Sequence, residues 1–210
     1  GGGGGGGGGG AFARPPPSIS PRRGGSGYGT RMTDTLTVET ERFTMRKLVR
    51  SDAAALLPTL GSEEQCRYMS RPHFESEEEL ADWLTDPTWD GRSWAAISKA
   101  DDSLQGRFVA VPTHDPEVEE IGYITVASHQ GQGIARECSA ALVDHLFAAE
   151  GKRKIIAEID VENVPSVALV ERLGFTREAH FRQHERTHKG MCDVFIYAML
   201  RDEWQGATKA

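Results

Sequence analysis

Gln130-Gly131-Gln132-Gly133-Ile134-Ala135 joins a strand-like run to a helix-like run, and the fold turns on how it is read. Upstream, Ile121-Gly122-Tyr123-Ile124-Thr125-Val126 is apolar, β-branched and aromatic, the composition of a buried strand. Downstream, Ile134, Cys138, Ala141, Leu142, Leu146 and Ala149 recur at helical spacing until Gly151 supplies a stop. A glycine-rich turn from a strand into a helix start aims several unpaired backbone N–H groups at one point. Such a turn suits phosphate, because the amides donate and the helix dipole favours negative charge. Glycine matters there because a Cβ would keep the ligand away from the backbone. Two common phosphate loops are excluded by spacing. A nucleotide-triphosphate loop ends in Gly-Lys-Ser/Thr, whereas Gly133 is followed by Ile134 and Ala135. The dinucleotide pattern G-x-G-x-x-G needs a small residue where Arg136 stands. On this stretch alone, a phosphate site and a merely tight connection stand level.

Composition bounds the rest. Residues 1–10 are all glycine, and 11–31 are rich in Pro, Gly, Ser and Arg. Such a stretch buries too little apolar surface to offset its ordering entropy, so it is expected to be a disordered tail. It has no apolar core of signal-peptide length. Met32 is the first methionine, which suggests a natural start there and an artificial or mis-started extension before it. Residues 32–210 suit a single domain. Setting aside the four arginines of the tail, the domain has 20 basic residues against 31 acidic, a formal charge of −11. That balance argues against nucleic acid and mildly for a cationic acceptor. Cys66, Cys138 and Cys192 have no close spacing, which fits a reducing cytoplasm and neither a disulfide framework nor a zinc knuckle. No apolar run reaches membrane-spanning length.

Strand patterns fall near Leu36–Leu48, Trp94–Ile97, Phe108–Val111, Ile121–Val126, Ile155–Ile159 and Val194–Leu200. Helical patterns fall at 52–60, 77–85, 134–150 and 165–173. The second opens with a capping box, Ser76 and Glu79; the fourth starts with Pro165 and stops at Gly174. Irregular alternation with a mostly antiparallel front half predicts an α+β (mixed α/β) domain.

The glycine stretch also matches Q/R-x-x-G-x-G/A, the acetyl-CoA loop of the GNAT superfamily of N-acetyltransferases. Further motifs follow in order. Residues 37–48 look like the opening strand of its RimJ/RimL-type branch, and Ser51-Asp52 like the cap of its first helix. Glu120-Ile121-Gly122-Tyr123 ends eight residues before Gly131. Asn163-Val164-Pro165-Ser166 with Glu171-Arg172-Leu173-Gly174-Phe175 resembles the branch's "N-x-x-S … E-K-L-G-F" block. Asp193 and Tyr197 to Leu200 resemble its closing strand, so the resemblance spans roughly residues 35–204. It implies a central, mostly antiparallel twisted sheet flanked by helices, with acetyl-CoA as donor and a primary amine as acceptor. A protein N-terminus, a polyamine and other small amines all fit as acceptor, and a homodimer is allowed.

The resemblance implies a division of labour. Gln130, Gly131, Gln132, Gly133, Ile134 and Ala135 would form the cofactor-binding loop, with the backbone N–H groups around Gln132–Ala135 holding the pyrophosphate, and Ile124, Thr125 and Val126 would pair with the pantetheine amides. Asn163 reads as an N-cap on its own residue type and, by resemblance, as a pantetheine contact. Ser166 is either a first-turn serine or the group beside the departing sulfur; the tyrosine that many relatives use four residues on is Val170 here. Glu120 is the candidate base, because an amine must be neutral to attack a thioester. Strand alternation sends Glu119 and Glu120 to opposite faces, so only one can reach the cleft. A strand N–H near Thr125 or Val126 would meet the developing oxyanion.

Other features pull elsewhere. His184-Glu185-Arg186-Thr187-His188 matches the zinc-protease H-E-x-x-H, which requires a helix. Its flanks lack a helical stripe, and Lys189-Gly190 reads as a hairpin turn. On a strand the imidazoles stand about 13 Å apart, too far to share one ion, so no metal is expected. Lys152-Arg153-Lys154 reads as a solvated turn, with the donor's ribose phosphate as its other reading. Tyr123 and Tyr197 read as core. An acetyl-CoA-binding sensor without turnover is the alternative to an enzyme.

Overall fold

Eight strands form one mixed sheet in the computed structural model, which describes residues 35–206. The expected tail, residues 1–31, lies outside the described residues. The strands are β1 (Val38–Glu39), β2 (Phe43–Lys47), β3 (Arg92–Ser98), β4 (Leu104–Pro112), β5 (Val118–Thr125), β6 (Lys154–Asp160), β7 (Thr176–Thr187) and β8 (Gly190–Leu200). They lie in the order β1-β2-β3-β4-β5-β6-β8-β7, antiparallel everywhere except between β5 and β6. Helices α1 (Ala53–Leu60), α2 (Glu77–Leu84), α3 (Ile134–Ala148) and α4 (Val164–Arg172) flank the sheet, giving the expected α+β class.

The helix ends follow their residues. Ser76 Oγ accepts from the Glu79 N–H at 3.2 Å, while the Glu79 carboxylate accepts from Glu75 N at 2.8 Å, one residue upstream of a standard capping box. Asn163 caps α4 through Ser166 N at 3.3 Å, and Gly174 stops it at φ 90°. Two strands depart from expectation. The run Leu36–Leu48 breaks at Thr40–Arg42, where the Thr40 hydroxyl takes the Phe43 N–H at 2.8 Å and turns the chain. Strand β7 escaped notice because it is polar and almost wholly exposed at the sheet edge, with no alternation to read. The β7–β8 turn is His188-Lys189, one residue before the expected pair, with Thr187 opposite Gly190.

Each face of the sheet buries a cluster. Met45, Trp94, Phe108, Tyr123 and Ile155 pack with Leu142 and Leu146 of α3. Val109 and Ile124 pack with Leu56 and Leu60 of α1 and Leu80 of α2 on the opposite face. Each such side chain contributes roughly 1.5–3 kcal/mol on burial.

The parallel pair places the site. Strands β5 and β6 are joined through α3, and they pair only where Val118, Glu119 and Glu120 meet Lys154, Ile155 and Ile156. Beyond that, β5 keeps β4 alone and β6 keeps β8 alone, so the sheet opens between them.

Candidate active site

The opening is bounded by the end of β5, the glycine loop, the start of α4 and β6. The Val126 N–H donates to the Gln105 carbonyl at 2.9 Å. Antiparallel pairing alternates, so the main-chain groups of Ile124 and Val126 point to β4, and those of Tyr123 and Thr125 point to the opening. This narrows the expected Ile124–Val126 edge: its Val126 N–H is engaged within the sheet, and the groups turned outward are its neighbours'.

The loop has the shape its glycines allow. Gly131 and Gly133 adopt φ 77° and 78°, a region costly for other residues. A Cβ at Gly131 would meet nothing within 4 Å, and one at Gly133 only Arg42 Nη2 at 3.6 Å. The protein does not crowd these positions, so open space lies over the loop backbone, as a phosphate group requires. Ile134 opens α3 and is buried, with Ala135 packed beside it. The Gln130 side chain donates to the Thr125 carbonyl at 3.3 Å and to Gln65 Oε1 at 2.8 Å, tying the loop to the strand. A cavity of about 490 Å³ lies beside the loop on its β2–β3 side, lined in part by Arg42, Lys99, His129 and Gln132.

A carboxylate in the first turn of α3 holds the loop from a distance in sequence. Glu137 accepts from Thr40 Oγ1 at 2.7 Å, Arg42 N at 2.9 Å and Arg42 Nε at 2.6 Å, while Arg42 Nη1 donates to the Gln132 carbonyl at 3.1 Å. Burial pushes the Glu137 carboxyl up, but these hydrogen bonds outweigh it and hold the group below its ordinary value. Nothing in the sequence marked this clamp.

Across the opening, Asn163 and Ser166 are both buried at the start of α4, and the Tyr123 hydroxyl donates to the Ser166 carbonyl at 3.4 Å. Val170 packs in the α3-side core, as do Tyr123 and Tyr197. Burial drives the Tyr197 hydroxyl up to about 12, with the Glu171 carboxylate 2.8 Å away adding to it. The two glutamates of β5 do face opposite ways, yet both are buried. Glu119 lies on the α3 face with Arg92 at 2.7 Å and Lys152 at 2.6 Å. Glu120 lies on the other face with Ile124, in line with Glu158 of β6, a second buried carboxylate that the sequence reading passed over. On that face of β4, burial lowers the Arg107 guanidinium to about 9, between Trp83 and Trp89 at 4.7 and 5.2 Å.

The segment between α1 and α2 crosses the same face. The Tyr68 hydroxyl donates to the Glu162 carbonyl at 3.0 Å, and the Met69 carbonyl meets His188 Nδ1 at 3.0 Å. Lys152-Arg153-Lys154 sits at the far end of α3, about 22 Å along a 15-residue helix from the loop, and pairs with Glu119, Asp115, Glu117 and Glu178. Its ribose-phosphate reading is corrected by that placement. The H-E-x-x-H residues lie on the β7–β8 hairpin, where His184 Nε2 stands 3.4 Å from Glu158 Oε1 while His188 turns to Met69. Among the described residues no group of three His, Cys, Asp or Glu could hold a metal, and no helix is long and apolar enough to cross a membrane.

A mixed sheet opened between two parallel strands, with a glycine loop starting the intervening helix, defines an acyl-CoA-binding transferase fold. Residues 42–176 match the acetyltransferase (GNAT) domain family, and the chain belongs to it. The uncharacterized N-acetyltransferase p20 of Bacillus licheniformis is 29% identical over 177 residues, covering 81% of this chain and 99% of that protein. The ribosomal-protein-serine acetyltransferase of Escherichia coli is 35% identical over 83 residues, covering 40% and 46% of the two chains. A structure of spermidine N-acetyltransferase from Vibrio cholerae in complex with CoA and spermine aligns with TM-score 0.68 at 24% identity, covering 77% of this chain and 97% of that one. The protein is thus an acetyl-CoA-dependent acyltransferase with the GNAT fold.

Proposed function

We propose that the chain transfers the acetyl group to a primary amine, a protein N-terminus or a small cationic amine, by direct attack with both substrates bound. The observation that carries this is the opening itself: the glycine loop, the start of α4 with buried Asn163 and Ser166, and, from the other face of the sheet, a buried Glu120 border the gap where β5 and β6 part. The partial likeness to a ribosomal-protein-serine acetyltransferase supports a RimJ/RimL-type acceptor, and the acidic balance of the chain supports a cationic one.

Bound acetyl-CoA supplies the activated acetyl group as a thioester. The N–H groups from Gly131 to Ala135 bind its pyrophosphate, helped by the start of α3. Tyr123 and Thr125 offer their outward main-chain groups to the pantetheine arm, and Asn163 contacts that arm from the start of α4. Glu120 takes the proton from the acceptor ammonium, and Ser166 donates at the departing sulfur. Most of the rate comes from alignment of two bound substrates.

The test is kinetic. Glu120→Ala should lower kcat by about 10²–10⁴-fold with acetyl-CoA affinity nearly intact, and should recover toward the acceptor's own pKa. Ser166→Ala should slow turnover without such recovery. Wild-type kcat in both variants across that range refutes these roles. A wild type that binds acetyl-CoA and turns over no amine would make it a sensor.

A further inference from the structure

We propose that Glu158 and His184 form the route by which the acceptor's proton leaves the buried site, an inference that rests on the amine-acetylation reading above. Glu120 is 5% exposed, so a proton taken there needs a path to water before the next turnover. Glu158 supplies the next station. The parallel register sets Ile156 against Glu120, and Glu158 lies two residues further on the same face, at the lip where the strands part. Ordinary strand spacing sets a minimum of about 8 Å between its Cα and that of Glu120, and the parting of the strands leaves room for bridging water between the two carboxylates. Gly122, level with this lip on β5, adds no side chain between them.

His184 takes the route outside. It belongs to β7, two strands from β6, and reaches back because the β7–β8 register slips between Phe181 and Glu185. Gln183 adopts φ 47° in this bulge, and Asp193 fastens it, accepting from Gln183 N at 2.8 Å and meeting His180 Nε2 at 3.0 Å. Bulges of this kind re-aim side chains. The result is His184 Nε2 at 3.4 Å from Glu158 Oε1, with Glu158 8% and His184 40% exposed at their side chains. The Phe181 ring packs against the imidazole, tilted by 39° with centroids 4.9 Å apart. A buried carboxylate touching a half-exposed imidazole is a two-step connection from interior to solvent, and a histidine exchanges protons readily near neutral pH.

The proton balance is simple. The ammonium N–H bond breaks as an O–H bond forms on Glu120; that proton passes to Glu158, then to His184 Nε2, the imidazolium releases its Nδ1 proton to water, and exchange with water returns the ring to its Nδ1–H tautomer for the next turnover. No redox partner is involved. Other charged or titratable groups on this face include Arg46 of β2, Arg107 of β4, Lys154 and Asp160 of β6, Cys192 of β8 and Glu185 of β7. Arg67, Tyr68 and Glu162 lie on the segments crossing it.

The full chain tests this with any amine it acetylates. His184→Ala should leave acetyl-CoA affinity unchanged and lower kcat at least tenfold in dilute buffer below the acceptor's pKa. The loss should be restored in proportion to added imidazole, whereas wild-type kcat stays independent of buffer concentration. Glu158→Gln should lose at least as much and gain nothing from imidazole, because the break lies upstream. His184→Gln keeps the size and packing, so it should behave as His184→Ala does; full activity in it would show a packing role and overturn the proposal. Buffer-independent kcat in every His184 variant would also overturn it while the amine reading stands. Failure of that reading would show as a wild type without turnover, and the inference would fall with it.

Discussion

Replacing both Gly131 and Gly133 by alanine isolates the donor loop from the rest of the fold. No Cβ at either position comes closer than 3.6 Å to the protein, so packing does not penalise the change. What remains is backbone conformation, about 1–2 kcal/mol for each non-glycine residue held at positive φ. The domain should therefore stay folded with a lower Tm. Binding should suffer far more. Both methyl groups project into the space over the loop, or the backbone relaxes to negative φ and turns its N–H groups away. Losing two hydrogen bonds to a charged phosphate, at about 1.5–3 kcal/mol each, corresponds to at least a hundredfold rise in Kd. Calorimetric titration with acetyl-CoA, beside circular dichroism of the same sample, reads both effects. An unchanged Kd in a folded double variant would refute the assignment of this loop to the pyrophosphate.

Three further outcomes are expected. Glu137→Ala frees Arg42 and the Gln132 carbonyl together, so acetyl-CoA affinity should fall several-fold in titration, with kcat at saturation little changed. Burial pushes the Glu150 carboxyl up, but hydrogen bonds with His145 and Arg92 outweigh it and leave the group at about 2, well below its ordinary value. Its stabilisation is therefore present above pH ~4.5 and lost as pH falls toward 2, and Glu150→Gln should flatten the acid limb of a Tm-against-pH curve in that window. Asn163→Ala removes a buried cap and should cost about 1–2 kcal/mol in denaturant unfolding; no loss would mean that the Ser166 N–H finds another acceptor.

What the sequence disclosed has a physical pattern. Ser76, Asn163, Pro165 and Gly174 act on neighbours within a turn, so the ends of α2 and α4 were readable from residue types alone. Continuous apolar and β-branched runs disclosed the central strands because both faces of the sheet are covered. Strand β7 lies at an edge with little to bury, and its polar sequence carries no period. The glycine loop was legible as a local device, but the residues that fix it were not: Thr40, Arg42 and Gln65 act across 65 to 97 positions. Alternation separated Glu119 from Glu120, yet it could not foretell that Arg92 and Lys152 would claim the first. The fate of the H-E-x-x-H residues followed from the hairpin, while the meeting of His184 with Glu158 depends on a bulge that no motif announces.

The bond set around Glu137 also limits what can be moved between relatives. Three donors on Thr40 and Arg42 converge on that one carboxylate, and the same arginine reaches the loop carbonyl at Gln132. A donor loop transplanted with α3 alone would arrive without the turn that shapes it. The smallest exchangeable unit is two pieces of chain, residues 40–42 and 130–137, and a chimera that crosses over between them should inherit the motif and lose the grip.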